Sequence, residues 1–165
     1  MSPELIAALL GACVGFVGSG VILWILQQSN FRRADLERVR TRLGIAKGLR
    51  VDLAEAGALI DGAIKRAELV HSARFPVALW ESHGNVLIAE LPEDAEMALM
   101  GAFSRLRMSN TILDGFPKPV LSLAEDGDLT VEDIKALKGR VATAMSHLNQ
   151  LIEGYERRLN VNERT

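Results

Sequence analysis

The chain has 165 residues, of which 48% are hydrophobic and 24% are charged, so its composition is that of a folded protein and excludes wholesale disorder. A single cysteine excludes an intramolecular disulfide framework. The formal net charge of -2 conceals an uneven distribution. Residues 31–50 carry seven Lys or Arg against Asp35 and Glu37, whereas residues 51–165 carry 12 basic and 18 acidic side chains. The chain is basic beside its N-terminal end and acidic beyond it.

A long apolar run opens the chain. Between Leu5 and Leu26 the only ionisable side chain is Cys13, and these 22 residues would span about 33 Å as a helix, enough to cross a membrane. A cleaved signal peptide is the alternative, but MSPE has no positive charge and QQSNF offers no small-x-small cleavage site. We therefore predict a transmembrane anchor in residues 1–30.

Basic residues follow the predicted anchor and determine its orientation. Positive residues resist translocation, so the positive-inside rule places the N-terminus outside the inner membrane and the C-terminal domain in the cytoplasm. The same residues are expected to contact anionic lipid, and the alternative is that they only set the topology. The juxtamembrane arginines are Arg32, Arg33, Arg38, Arg40 and Arg42.

Small residues recur at every fourth position of the anchor. They are Ala7, Gly11, Gly15 and Ser19. This spacing places them on one ridge of a helix, where a second helix can approach closely. Because lipid supplies little hydrophobic drive between helices, close packing on this ridge is predicted to mediate association with a second copy or a membrane protein partner. The alternative is the general abundance of small residues in membrane spans.

Beyond the anchor the apolar spacing is helical almost throughout. A long helix is predicted from Leu36 to Val70, with a bend between residues 44 and 48 where two glycines lie close together. A short helix over 76–91 and a third over 93–113 follow, and residues 115–128 read as a loop with two prolines and two glycines. The third helix is predicted to bury Leu99, Phe103, Leu106 and Leu113.

The last helix has the most regular apolar seam. Thr130 and Asp133 resemble a capping box at its start. Its apolar residues alternate steps of three and four: Ile134, Leu137, Val141, Ala144, Leu148, Leu151 and Tyr155. The predicted fold class is therefore all-α, with an N-terminal transmembrane helix followed by a long helix and an antiparallel bundle of about four helices. Residues 31–159 form the cytoplasmic bundle in this prediction, and residues 160–165 a frayed tail.

One polar residue interrupts the stripe of the third helix. Asn110 is predicted to be a buried polar group that fixes helix register or hydrogen-bonds a turn, in preference to a binding role.

No pattern typical of catalysis is present in the sequence. Glu68 and His71 have the i, i+3 spacing of bundle metal sites, but no second copy of that pair exists. GxSxG, Walker and GxGxxG motifs are missing as well. We expect no enzymatic activity, cofactor, metal or small-molecule substrate. An acidic distal region and 5% aromatic content argue against nucleic acid as a partner.

A short set of motifs lies beyond the predicted anchor: Trp80, Leu91-Pro92 and Asn110 within FSRLRMSN. On these motifs the chain resembles a loose group of uncharacterised bacterial membrane-anchored helical proteins, and the resemblance implies no activity. The function expected from the sequence is a non-enzymatic, membrane-tethered interaction module. The alternatives are a signalling component or accessory subunit of a membrane complex, or a phage-type membrane effector.

Overall fold

A computed structural model describes residues 3–70, 74–115, 120–123 and 129–162 of the chain. Within residues 3–22 it describes the backbone but not the side chains. The helices are α1 (Pro3–Arg66), α2 (Ala78–Ile88), α3 (Glu93–Gly115) and α4 (Val131–Asn162). Two short strands, β1 (Glu68–Val70) and β2 (Val120–Ser122), pair antiparallel. The predicted all-α class is confirmed, with this one small sheet added to it.

The chain divides into two compact units, Met1–Val39 and Arg40–Thr165. Helix α1 contributes to both, and the second unit is the helical bundle. Among the described residues, none of the helices combines the length and the apolar character that crossing a membrane requires. The predicted anchor falls mainly on residues whose side chains lie outside the description.

Two ion pairs define the direction of the long helices in the bundle. Lys47 contacts Glu156 at 2.7 Å, and Lys138 contacts Asp61 at 2.7 Å. Later positions on α1 thus meet earlier positions on α4, so the two helices are antiparallel. Large apolar side chains with almost no exposed surface fill the space between the helices, among them Leu49, Leu53, Ile60, Leu99, Phe103, Leu106, Ile134 and Leu148.

The long helix ends earlier than its apolar spacing predicts. Helix α1 stops at Arg66, and Ala67 has a φ of 52°, a left-handed conformation that few residues other than glycine adopt. The chain then enters β1, where Leu69 pairs with Leu121, and the N–H of Leu123 donates to the carbonyl of Ala67 at 3.0 Å. The predicted continuation to Val70 is therefore wrong, because pairing with the distant β2 stabilises an extended backbone. The predicted loop over 115–128 contains that second strand.

The start of α4 has the predicted capping box. The Thr130 hydroxyl accepts a hydrogen bond from the Asp133 N–H at 3.1 Å, and the Asp133 carboxylate accepts from the Thr130 N–H at 3.0 Å. The Thr130 hydroxyl also donates to that carboxylate at 2.7 Å, and these hydrogen bonds lower the pKa of Asp133.

At its C-terminal end, α4 continues to Asn162, three residues into the predicted tail.

The seam of α4 differs from the prediction at one position. Leu151 is only half-buried, and its neighbour Ile152 is buried in its place. At about 100° per residue, both positions lie a similar angle from the centre of the apolar stripe. Spacing therefore does not distinguish them, and the packing of neighbouring elements does.

A tryptophan ring packs between α2 and α3. Trp80 stacks on Phe103 with 4.8 Å between ring centroids and 4° between ring planes. Gly84 lies one turn after Trp80, and a Cβ at this position would lie 2.8 Å from two carbons of the indole. Gly84 is therefore needed for close approach of the ring. Helix α2 is continuous through Gly84, and it is shorter at both ends than the predicted helix over 76–91.

Gly84→Ala tests this close approach. Alanine ordinarily stabilises a helix by about 1 kcal/mol relative to glycine, but here the displaced indole should produce a net destabilisation of about 1–2 kcal/mol. Gly57→Ala is the matched control, because a Cβ at Gly57 meets no atom within 4 Å and should be stabilising. Denaturant titration of both variants measures the difference. Equal stabilisation by both would contradict the packing assigned to Gly84.

Candidate functional site

A charged contact joins three parts of the bundle at the turn between α2 and α3. Glu90 lies in this turn, which is formed by hydrogen bonds from the N–H groups of residues 90 and 91 to carbonyls of α2. One Glu90 carboxylate oxygen accepts a hydrogen bond from the Arg42 guanidinium of α1. The other accepts from the Tyr155 hydroxyl of α4 at 3.3 Å. Glu90 therefore holds both long helices to the turn.

Tyr155 is the buried member of this contact, with 2% of its surface exposed. Burial raises the pKa of its phenol, and the adjacent Glu90 carboxylate raises it further. The neutral phenol is therefore the form that the site favours, and its hydroxyl donates a hydrogen bond to the Glu90 carboxylate. Each oxygen of the Glu90 carboxylate thus accepts a hydrogen bond, one from the arginine and one from the phenol. The carboxylate is satisfied by these partners, which is typical of a structural contact.

A cavity of about 480 Å³ lies beside this contact, between the α2–α3 turn and α4. Its lining combines apolar surface from Leu91, Pro92 and Leu151 with both signs of charge. The charged, titratable and amide side chains that line it are Glu90, Asp94, His147, Gln150, Tyr155 and Arg158. Because neither charge dominates, the lining does not select an anionic or a cationic ligand. No group of three or more metal-ligating side chains occurs in the described part of the chain.

Tyr155 makes this site directly measurable, because it is the one tyrosine in the chain. Replacing Glu90 with glutamine removes the carboxylate charge and should lower the pKa of Tyr155 towards its ordinary value of 10.0, while burial keeps it above that value. Ultraviolet absorbance titration of the phenol reads this out. Glu153→Gln, an exposed position on the same helix, should leave the titration unchanged. An unchanged or higher pKa in Glu90→Gln would contradict the assigned contact.

Asn110 is half-buried on α3 and contacts the segment before α2 through both ends of its amide. Its Oδ1 accepts from the Phe75 N–H at 2.9 Å, and its Nδ2 donates to the Phe75 carbonyl at 2.9 Å. The amide therefore pairs with one residue's backbone as a neighbouring strand would. This segment joins β1 to α2 and contains the buried Phe75. The geometry gives Asn110 a positioning role in the fold.

The other predicted site residues are not brought together by the described structure. The backbone of Ala7, Gly11, Gly15 and Ser19 belongs to α1, but their side chains lie outside the description. Four of the five juxtamembrane arginines, Arg32, Arg33, Arg38 and Arg40, are exposed on α1.

Arg42 differs from the other juxtamembrane arginines. Its ion pair with Glu90 leaves 22% of its side chain exposed, so Arg42 has a role inside the bundle, where it connects α1 to the α2–α3 turn. The spacing of the arginines did not reveal this, because Glu90 lies 48 residues away in the chain.

The chain was compared with known proteins at three levels. No protein-family model matches it, and no curated protein or solved structure is significantly similar to it. Its function is therefore argued from its own residues.

Proposed function

We propose that this chain is a non-enzymatic interaction module. In this proposal the N-terminal helix anchors the chain in the inner membrane, with the N-terminus outside. The helical bundle then lies at the cytoplasmic face of the membrane, where it binds a second copy or another membrane protein. The acidic composition of residues 51–165 and the basic stretch before them support this arrangement, because basic residues remain on the cytoplasmic side.

Exposed apolar side chains at the end of the apolar run are the observation that carries the proposal. Leu23, Trp24, Leu26 and Phe31 are 53% to 67% exposed on α1. Burying a large apolar side chain is worth about 1.5–3 kcal/mol, so four such groups within nine residues favour a non-aqueous surrounding. Lipid supplies it, and tryptophan is enriched at the headgroup level.

Membrane extraction and topology reporters test the anchor. The full-length chain should stay with membranes through alkaline carbonate and high-salt washes, and a chain lacking residues 1–31 should not. A periplasmic reporter should be active only when fused to the N-terminus, and a cytoplasmic reporter only when fused to the C-terminus. Release of the full-length chain by carbonate, or the reverse reporter pattern, would reject the proposed location.

The intact mass of the complex in mild detergent tests the interaction. A homo-oligomer supports self-assembly, and Gly15→Leu should then reduce the oligomer because leucine blocks close approach on the ridge. A second protein in fixed ratio supports an accessory role in a membrane complex. A monomer without stoichiometric partners in native membrane extracts would contradict an interaction module.

A further inference from the structure

A groove runs along the surface between α3 and α4. Near Met97 it has a volume of about 410 Å³ and is bordered on α4 by Ala136, Gly139 and Thr143. Towards Met108 it continues as a second cavity of about 260 Å³. Ala136 and Arg140 line both parts, so the two cavities adjoin along the α3–α4 groove, with Arg140 between them.

The groove has the length of a helical ligand. On α3 it extends from Met97 to Ile112, which corresponds to about 22 Å at 1.5 Å per residue. A partner helix of about four turns covers this distance. The α4 residues that border the groove near Met97 have short side chains. A Cβ added at Gly139 would meet no atom within 4 Å, so the groove is open at this position. Helix-in-groove docking requires this combination of length and open floor.

Methionines form the rim of the groove on α3. Met97 and Met108 are 68% and 54% exposed, although the opposite face of the same helix is packed in the core. Methionine side chains are flexible and polarizable, so they adapt to the apolar face of a bound helix. The methionines of the rim therefore provide exposed apolar surface that can adapt its shape to a bound helix.

Two arginines give the groove a positive centre. The Arg105 guanidinium interacts electrostatically with the Asp133 carboxylate. Among the described residues, no carboxylate forms an ion pair with Arg140. The Arg105 guanidinium contacts the Met108 sulfur at 3.8 Å, and Arg140 lies over Gly101 across the groove. The one carboxylate that lines this groove is Asp133, which is held in the capping box of α4. Asp133 offsets part of the charge of Arg105, so Arg140 is the side chain in the middle of the groove that a carboxylate from outside the bundle complements.

We propose that the α3–α4 groove binds an amphipathic helix of a partner protein, with its apolar face on the methionine rim and a carboxylate opposite Arg140. A second copy docked groove to groove is disfavoured, since a two-fold axis would place the arginines of both copies together. This inference rests on the proposed function, because it names the chemistry of the partner that the module binds.

Synthetic peptides test the chemistry of the groove on the full-length chain in mild detergent. The probe is a fluorescent helical peptide of about 18 residues, with leucines at i, i+3, i+4 and i+7 and glutamates on the flanks of that stripe. A matched peptide has lysine in place of every glutamate, and empty micelles provide the blank. We expect the acidic peptide to bind at least about tenfold more tightly than the basic one. Equal binding of the two, or binding no stronger than to empty micelles, would overturn the proposal.

Two variants and two controls locate the binding. Arg140→Glu should weaken binding of the acidic peptide about tenfold and improve binding of the basic peptide, whereas Arg157→Glu makes the same charge change at an exposed position of α4 outside the groove. Gly139→Leu should block the floor with the charges intact, and Gly57→Leu is its control on α1. Circular dichroism melts confirm that each variant is folded. Binding unaffected by both groove variants would overturn the site.

The same variants separate this inference from the proposed function. A partner that co-purifies with the wild-type chain should be lost from both Arg140→Glu and Gly139→Leu, and its cross-linked segment should be an amphipathic helix with a carboxylate. A partner retained by both variants would overturn the groove and leave the interaction module standing. Peptide binding in the groove without any partner in native membranes would support the groove and reject the module.

Discussion

Replacing Phe103 with alanine is expected to lower the free energy of unfolding by about 4 kcal/mol. Phe103 is 1% exposed, and truncating a buried phenylalanine typically costs about 3–5 kcal/mol because a cavity remains. Its stacked contact with Trp80 adds to this cost, since an aromatic pair contributes about 0.5–1.5 kcal/mol beyond the buried area. Chemical denaturation of the full-length chain in detergent, followed by circular dichroism, measures the change.

A leucine variant and a neighbouring methionine provide the controls for Phe103. Phe103→Leu retains most of the apolar volume and should cost about 1–1.5 kcal/mol. Met100→Ala, at a position of α3 that is 46% exposed, should change stability by less than about 0.5 kcal/mol. In a Trp24→Phe background the fluorescence reports Trp80 alone, and its emission should shift to the red in Phe103→Ala. A loss below about 1 kcal/mol would show that the stack does not hold α2 to α3.

Replacing Asn110 with leucine is expected to lower the free energy of unfolding by about 2–4 kcal/mol. The change leaves the Phe75 N–H and carbonyl without their amide partner in a partly buried position, and an unsatisfied group of this kind costs about 1–3 kcal/mol. Thr111→Leu, at the exposed neighbouring position, should be close to neutral. Denaturant unfolding of the two variants gives the comparison.

An aspartate at position 110 makes the same contact dependent on pH. The ionised carboxylate accepts from the Phe75 N–H but repels the Phe75 carbonyl, whereas the protonated carboxyl accepts and donates as the amide does. Folding therefore raises the pKa of the introduced carboxyl above its unfolded value of about 3.9. Its stabilising contribution is fully present below the unfolded pKa and is lost as pH rises through the folded pKa. Unfolding of Asn110→Asp across pH 3–7 should approach wild type only at the acidic end; a constant difference would contradict the paired contact.

Local spacing in the sequence was sufficient for the helices and most of their buried faces. Residues three and four positions apart lie on one face of a helix, so Leu99, Phe103 and Leu106 were identifiable as core without any other element. The capping box at Thr130 and Asp133 was also identifiable, because both partners lie within one helical turn. These features can be identified from the spacing of residues within a single helix.

Contacts between distant segments of the chain determined the structural features that local spacing did not predict. Strand β1 pairs with β2 across about 50 residues, and three-residue strands are too short to show the alternation of a half-buried strand. Glu90 binds Arg42 and Tyr155, which lie 48 and 65 residues away, and Asn110 reaches Phe75 over 35 residues. The groove between α3 and α4 exists only once those helices are packed. The sequence by itself determined where the helices form and most of the face that each one buries, because residues on one face recur at fixed spacing within a helix. The strand pair, the polar contacts between elements and the groove required the tertiary structure, because their partners are brought together only by folding.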